Sequence, residues 1–180
     1  MEVLNQVEAG WLFWIQENLR NDVLDAIMPL VSKVNNAGML AILTVVILLL
    51  WKKTRETGII AFVSLFLEYI LVNVSLKPIV MRTRPFVVNE ALQLLGDYPT
   101  DYSFPSGHTG CAFAVAFVCL LCLPKRYGVL AIVVAALIAF SRLYNAAHYP
   151  TDVLAAIVIA FITALIAKCT VGRVLANRRK

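Results

Sequence analysis

The chain has 180 residues, 61% of them hydrophobic, and a mean hydropathy of +0.80. That apolar share exceeds the roughly 45–50% of soluble domains and points to one all-α, integral-membrane helical bundle. The net charge is +5, but the 16 Lys and Arg form no continuous patch, which suits a membrane surface and argues against a nucleic-acid partner.

Residues 1–34 read as N-terminal amphipathic interfacial helices. Val3, Val7, Trp11 and Trp14 recur at helical spacing, broken by Glu8, Gln16 and Glu17. Asn21 reads as the N-cap of a second helix, with Asp22 and Asp25 in its first turn and an apolar face of Val23, Leu24, Ile27, Met28 and Val31. The two tryptophans suit the headgroup level. The start is acidic, with Glu2 and Glu8, unlike a removable signal peptide.

A transmembrane bundle is expected over 35–169, and a basic cytoplasmic tail over 170–180. Five spans are predicted at 35–52, 57–77, 105–124, 127–144 and 150–169. Each approaches the length of about 20 residues that crosses a bilayer. Ten of the 16 basic residues fall in alternate connections and the tail: Lys52, Lys53, Arg55, Lys125, Arg126, Lys168, Arg173, Arg178, Arg179 and Lys180. The positive-inside rule places these in the cytoplasm. The remaining connections, with the polar motifs they carry, then lie outside.

Glu68 falls inside the second span, where a carboxyl is costly. An interhelical hydrogen bond as a protonated acid, or a place along a lipid path, are the two expectations. It precedes Lys77 by nine residues, which on an ideal helix sets the two on opposite faces; Asn73 shares the Lys77 face. The loop from Phe86 to Phe104 reads either as a membrane-dipping lid or as a plain connection. Of the four cysteines, Cys111, Cys119, Cys122 and Cys169, the pair Cys119-Leu-Leu-Cys122 has redox-motif spacing but lies inside an apolar helix, and is read as small buried packing residues rather than as a metal or redox site.

Three polar stretches stand at the ends of apolar segments. The first is KPIVMRTRP, Lys77 to Pro85. The second is SFPSGH, Ser103 to His108, where Pro105 suits a first helical position and Ser106, Gly107 and His108 a first turn. Unpaired N–H groups and the helix dipole make such a turn an anion site, and Gly107 lets an anion approach. The third is SRLYNAAHYPTD, Ser141 to Asp152. Both histidines of the chain, His108 and His148, lie in these stretches.

Lys-x6-Arg-Pro, Pro-Ser-Gly-His and Ser-Arg-x5-His-x3-Asp, in that order, resemble the signature of the type 2 phosphatidic acid phosphatase superfamily, shared with vanadium haloperoxidases and bacterial acid phosphatases. The resemblance covers about residues 77–152 and implies an integral-membrane lipid phosphatase that uses no cofactor. Its implied substrates are undecaprenyl diphosphate, phosphatidylglycerophosphate and phosphatidic acid.

The residue chemistry fits phosphoryl transfer, which needs charge around the equatorial oxygens, an in-line nucleophile and help for the leaving group. Lys77, Arg84 and Arg142 supply charge, with Ser106 and the Gly107 N–H as further donors. His148 is the expected nucleophile, Asp152 the acceptor that fixes its tautomer, and His108 the acid and later the base. Three cations beside two histidines and one carboxylate disfavour a divalent metal. Transfer of the phosphoryl group to another acceptor, or lipid transport, are the rival readings.

Overall fold

The structure, a computed structural model, describes residues 2–177. Among the described residues its regular secondary structure is all helical: α1 (Glu2–Asn18), α2 (Asp22–Val34), a short 3₁₀ turn (Asn36–Gly38), α3 (Met39–Leu50), α4 (Arg55–Tyr69), a π-helical stretch (Ile70–Leu76), α5 (Lys77–Val80), α6 (Pro85–Val88), α7 (Gly107–Cys122), α8 (Lys125–Tyr144) and α9 (Pro150–Asn177).

Among the described residues, three helical stretches are long and apolar enough to cross a membrane: Arg55–Val88, Lys125–Tyr144 and Pro150–Val174. The pair Asp22–Val34 and Asn36–Leu50, bent by 41°, makes a fourth if taken as one broken span. The chain is therefore a multi-pass membrane protein with three or four such spans, where the sequence suggested five. α7 has 16 residues. At 1.5 Å per residue that is about 24 Å, short of a hydrocarbon core of about 30 Å.

α7 is the hub, packing against α4, α8 and α9. Ala114, Ala116, Val118 and Cys119 are buried on it, as expected of a helix surrounded by others. α9 lays a stripe of small residues, Ala156, Ala160, Ala164 and Ala167, into the bundle. Its other face, Leu154, Val158, Phe161, Ile162, Leu165 and Ile166, is exposed. Small residues inside and large apolar ones outside are how membrane helices approach closely when lipid removes the usual hydrophobic drive. Ser64 adds polar contacts inside the bundle, donating to Ala114 O at 3.2 Å and lying 3.4 Å from Thr163 Oγ1.

Asn21 caps α2 as expected, its Oδ1 accepting from Leu24 N at 3.0 Å. Pro105 does not open α7. It lies before the N-cap, following a cis Phe104–Pro105 bond, and Ser106 is the cap, in an extended conformation. α9 does not stop near 169 but continues to Asn177, since no proline or capping signal ends it. The expected tail is thus helical as far as it is described, and Arg178, Arg179 and Lys180 lie outside the described residues. Cys111 and Cys119 are buried, but Cys122 is only partly so and Cys169 is exposed, because α9 turns that position outward.

The loop after α6 packs against the N-terminal helices. Leu92 and Leu95 join a cluster with Leu12, Ile15, Met28 and Tyr149. Gln16 accepts from Gln93 N at 2.9 Å, and Arg20 donates to Gln93 O at 2.5 Å. The loop is seated on these helices, and its last residues enter the polar site.

Candidate active site

The three polar stretches meet at one end of the bundle, at the N-termini of α7 and α9, the C-terminus of α8 and the turn between α5 and α6. Lys77, Arg84, Ser106, Arg142, His148 and Asp152 are all buried there. His148 and Asp152 sit four residues apart across the start of α9, with Nδ1 and Oδ2 3.5 Å apart.

The other ring nitrogen of His148 faces Arg84. Arg84 Nη1 lies 3.2 Å from Nε2 and donates to Ala147 O at 2.7 Å. A guanidinium can only donate, so Nε2 is the acceptor and the ring proton belongs on Nδ1, toward Asp152. The His148 imidazole is held well below its ordinary pKa, first by burial and then by the positive charges of Arg84, Arg142 and Lys77 and by His108. His148 is therefore neutral, with a lone pair directed into the cluster.

Asp152 is over-determined. Oδ2 accepts from Ser103 Oγ at 2.5 Å and from Tyr149 N at 2.9 Å; Oδ1 accepts from Arg82 Nη1 at 2.6 Å. Arg82 is itself fixed by α1: Nη2 reaches Glu8 Oε2 at 2.5 Å and Asn5 Oδ1 at 2.6 Å, and the guanidinium lies 3.9 Å over the Tyr149 ring. Glu8 also accepts from Thr151 N at 2.6 Å. Sequence reading took Glu8 as a break in an amphipathic helix and gave Arg82, inside the KPIVMRTRP stretch, no role in the site. Both are inward-facing partners of the site, and their pairing across 74 residues left no local signal.

Ser106 Oγ accepts from Thr109 Oγ1 at 3.0 Å as part of its capping role, which leaves its own O–H to offer. Gly107 faces Asn73 and Lys77: a Cβ there would crowd Asn73 Oδ1 at 3.1 Å and make ordinary contact with Lys77 Nζ at 3.7 Å. His108 Nε2 lies 2.9 Å from Asn36 Oδ1, so the 3₁₀ turn before α3 orients it. Arg142 donates to Ser32 Oγ of α2, and its buried Nε has no partner among the described residues.

Asp101 is the third residue that sequence reading missed. Its carboxylate bridges Lys77 Nζ and Arg84 Nη2, the latter at 2.5 Å. Burial alone would raise its pKa, but the hydrogen bond and charge of Lys77, with those of Arg84, bring it down to about 2. An acidic residue just ahead of the PSGH stretch was its only sequence trace. A carboxylate held by a lysine and an arginine occupies an anion site.

Residues 57–175 match the family model of the PAP2 superfamily. The undecaprenyl-diphosphatase of Sulfolobus acidocaldarius is 39% identical over 109 residues, 61% of this chain, and the match spans about half (52%) of that protein's length. The undecaprenyl-diphosphatase BcrC of Bacillus subtilis is 31% identical over 79% of this chain and 72% of its own. The crystal structure of Aquifex aeolicus LpxE superposes with a TM-score of 0.76 at 28% identity, covering 87% of this chain and 92% of that one.

Proposed function

Because the chain belongs to the PAP2 superfamily, we propose that it is a membrane lipid phosphatase hydrolysing a lipid phosphate or diphosphate, undecaprenyl diphosphate above all. The observation that carries the reading is His148: a neutral ring whose Nε2 meets Arg84 at 3.2 Å while Asp152 stands behind Nδ1. The two named relatives, both undecaprenyl-diphosphatases, support the choice of substrate.

The substrate's terminal phosphate displaces the Asp101 carboxylate and takes Lys77, Arg84 and Arg142 as counter-charges, with Ser106 and the Gly107 N–H as donors. His108 takes up a proton as the anionic substrate binds among the cations; His148 Nε2 then attacks phosphorus, the P–O bond to the lipid moiety breaks, and His108 gives that proton to the leaving oxygen. Asp152 stabilises the cation that His148 becomes. His108 then takes a proton from water, water oxygen attacks phosphorus, the P–N bond breaks, and phosphate leaves.

The whole chain acts as one domain, with α1 and α2 at the interface or, for α2, as half of a broken span with α3. The segregation of basic residues supports a site on the extracytoplasmic side and a cytoplasmic C-terminus. The test is phosphate release by purified protein in detergent, with a chelator present, from undecaprenyl diphosphate, phosphatidylglycerophosphate and phosphatidic acid. Fastest release from the diphosphate is expected; release from none of them rules out the reading.

A further inference from the structure

A cavity of about 470 Å³ runs beside α7 and joins the polar site to the outer surface of α4. Lys77, Asn73 and His108 border it at the polar end; Phe62, Phe66 and Tyr69, all exposed on the outside of α4, border it at the other. Glu68 lies between. It is 1% exposed, and neither carboxyl oxygen has a partner among the described residues.

Room for Glu68 comes from Gly110. A Cβ at that position would stand 1.8 Å from Glu68 Oε1, so only glycine admits the carboxyl here. One turn earlier, Gly107 faces Lys77, whose Nζ would lie 3.7 Å from a Cβ there. α7 is thus a ruler: Gly107 marks the level of the Lys77 ammonium, and Gly110 marks the level of the Glu68 carboxyl, about 4.5 Å deeper at 1.5 Å per residue. That the two side chains reach one cavity departs from the opposite faces expected of an ideal helix. The π-helical stretch Ile70–Leu76, with its wider turn, changes the phase between them.

A terminal phosphate held by Lys77 and Arg84 therefore puts the next group of the substrate at the level of Glu68. In a lipid monophosphate that group is the ester oxygen and the start of the hydrocarbon. In a lipid diphosphate it is the second phosphate. We propose that Glu68 is a specificity-determining residue whose neutral carboxyl donates its O–H to the second phosphate of a lipid diphosphate lying in this cavity. A buried carboxylate with no donor would carry the cost of an unpaired charge, whereas the neutral acid has one proton to give. The inference rests on the phosphatase reading above and adds how the site tells a diphosphate from a monophosphate.

The experiment compares kcat/KM for a polyprenyl diphosphate and the matching monophosphate in wild type, Glu68→Gln, Glu68→Leu and Gly110→Ala. Glu68→Gln retains a donor and should keep the wild-type preference. Glu68→Leu removes the donor and should cut diphosphate turnover about tenfold, with the monophosphate nearly unchanged, as expected for one lost hydrogen bond to a charged group. Gly110→Ala pushes the carboxyl aside and should lower the same ratio, and it decides the matter if the leucine variant does not fold. An unchanged ratio in Glu68→Leu and Gly110→Ala, an equal loss for both substrates, or a gain in diphosphate preference on removing the carboxyl overturns the inference. A wild type inactive on both substrates instead overturns the phosphatase reading.

Discussion

Arg82 Nη1 donates to Asp152 Oδ1 at 2.6 Å while Nη2 of the same guanidinium holds Glu8 on α1. All three side chains are buried, and the pairing ties the N-terminal helix to the carboxylate behind His148. The charge on Arg82 therefore serves the site from behind rather than meeting substrate.

Removing one partner of a buried charge network leaves the others uncompensated. Arg82→Ala should lower stability by about 3–5 kcal/mol. Arg82→Lys keeps the charge but cannot span Asp152, Glu8 and Asn5 together. It should fold, with kcat reduced and KM little changed, because Asp152 and hence His148 are less well held. Thermal unfolding in detergent and steady-state kinetics check both. An Arg82→Lys protein with full kcat removes Arg82 from the account.

Asp101 stands where an anion would bind, so it competes with one. Asp101→Asn removes a charge between Lys77 and Arg84 and should tighten vanadate binding roughly tenfold, within the range of a hydrogen bond to a charged group. The vanadate inhibition constant is the readout. Weaker inhibition in the variant would mean that Asp101 organises the two cations rather than occupying their site.

The lowered pKa of His148 sets the acid limb of the pH profile. In the proposed mechanism the nucleophile is the neutral ring, lost only when pH falls through the lowered value. The limb in kcat/KM, after correction for substrate ionisation, should therefore lie below the usual histidine value of about 6.5. Burial is the first cause and Arg84 the second, so the residual activity of Arg84→Gln should show the limb displaced upward. A limb that stays in place argues that another group controls it.

Orientation is tested by labelling. In a Cys169→Ser background, cysteines at Glu90 and at Lys125, both exposed, should differ toward an impermeant thiol reagent in intact cells. Label at the first and not at the second is expected; the reverse pattern puts the site in the cytoplasm.

The three polar stretches were legible in sequence because their residues lie close together and their spacing is fixed by helix ends. His148 and Asp152 meet because the chain turns into α9 between them, where Asp152 accepts from Tyr149 N. What escaped was carried by long-range pairing or by departure from ideal helices. Glu8 and Asp101 act through partners on other elements, and Glu68 reaches the Lys77 side only because the chain winds as a π-helix between them. The bend between α2 and α3 lies at Ala37 and Gly38, where φ is 51° and 71°, a conformation the composition does not announce at Ala37.

The covalent step is the centre of the account. Rapid quench with a labelled aryl phosphate, which leaves without a proton, should trap label on His148 in the His108→Ala protein, since the phosphohistidine forms but lacks the base that hydrolyses it. On a lipid substrate the same variant should lose about 10²–10⁴-fold in turnover. His148→Ala should trap nothing. Label on His148 in the first protein and none in the second is the predicted result; label on His108 in the His148→Ala protein would contradict the assignment of the nucleophile.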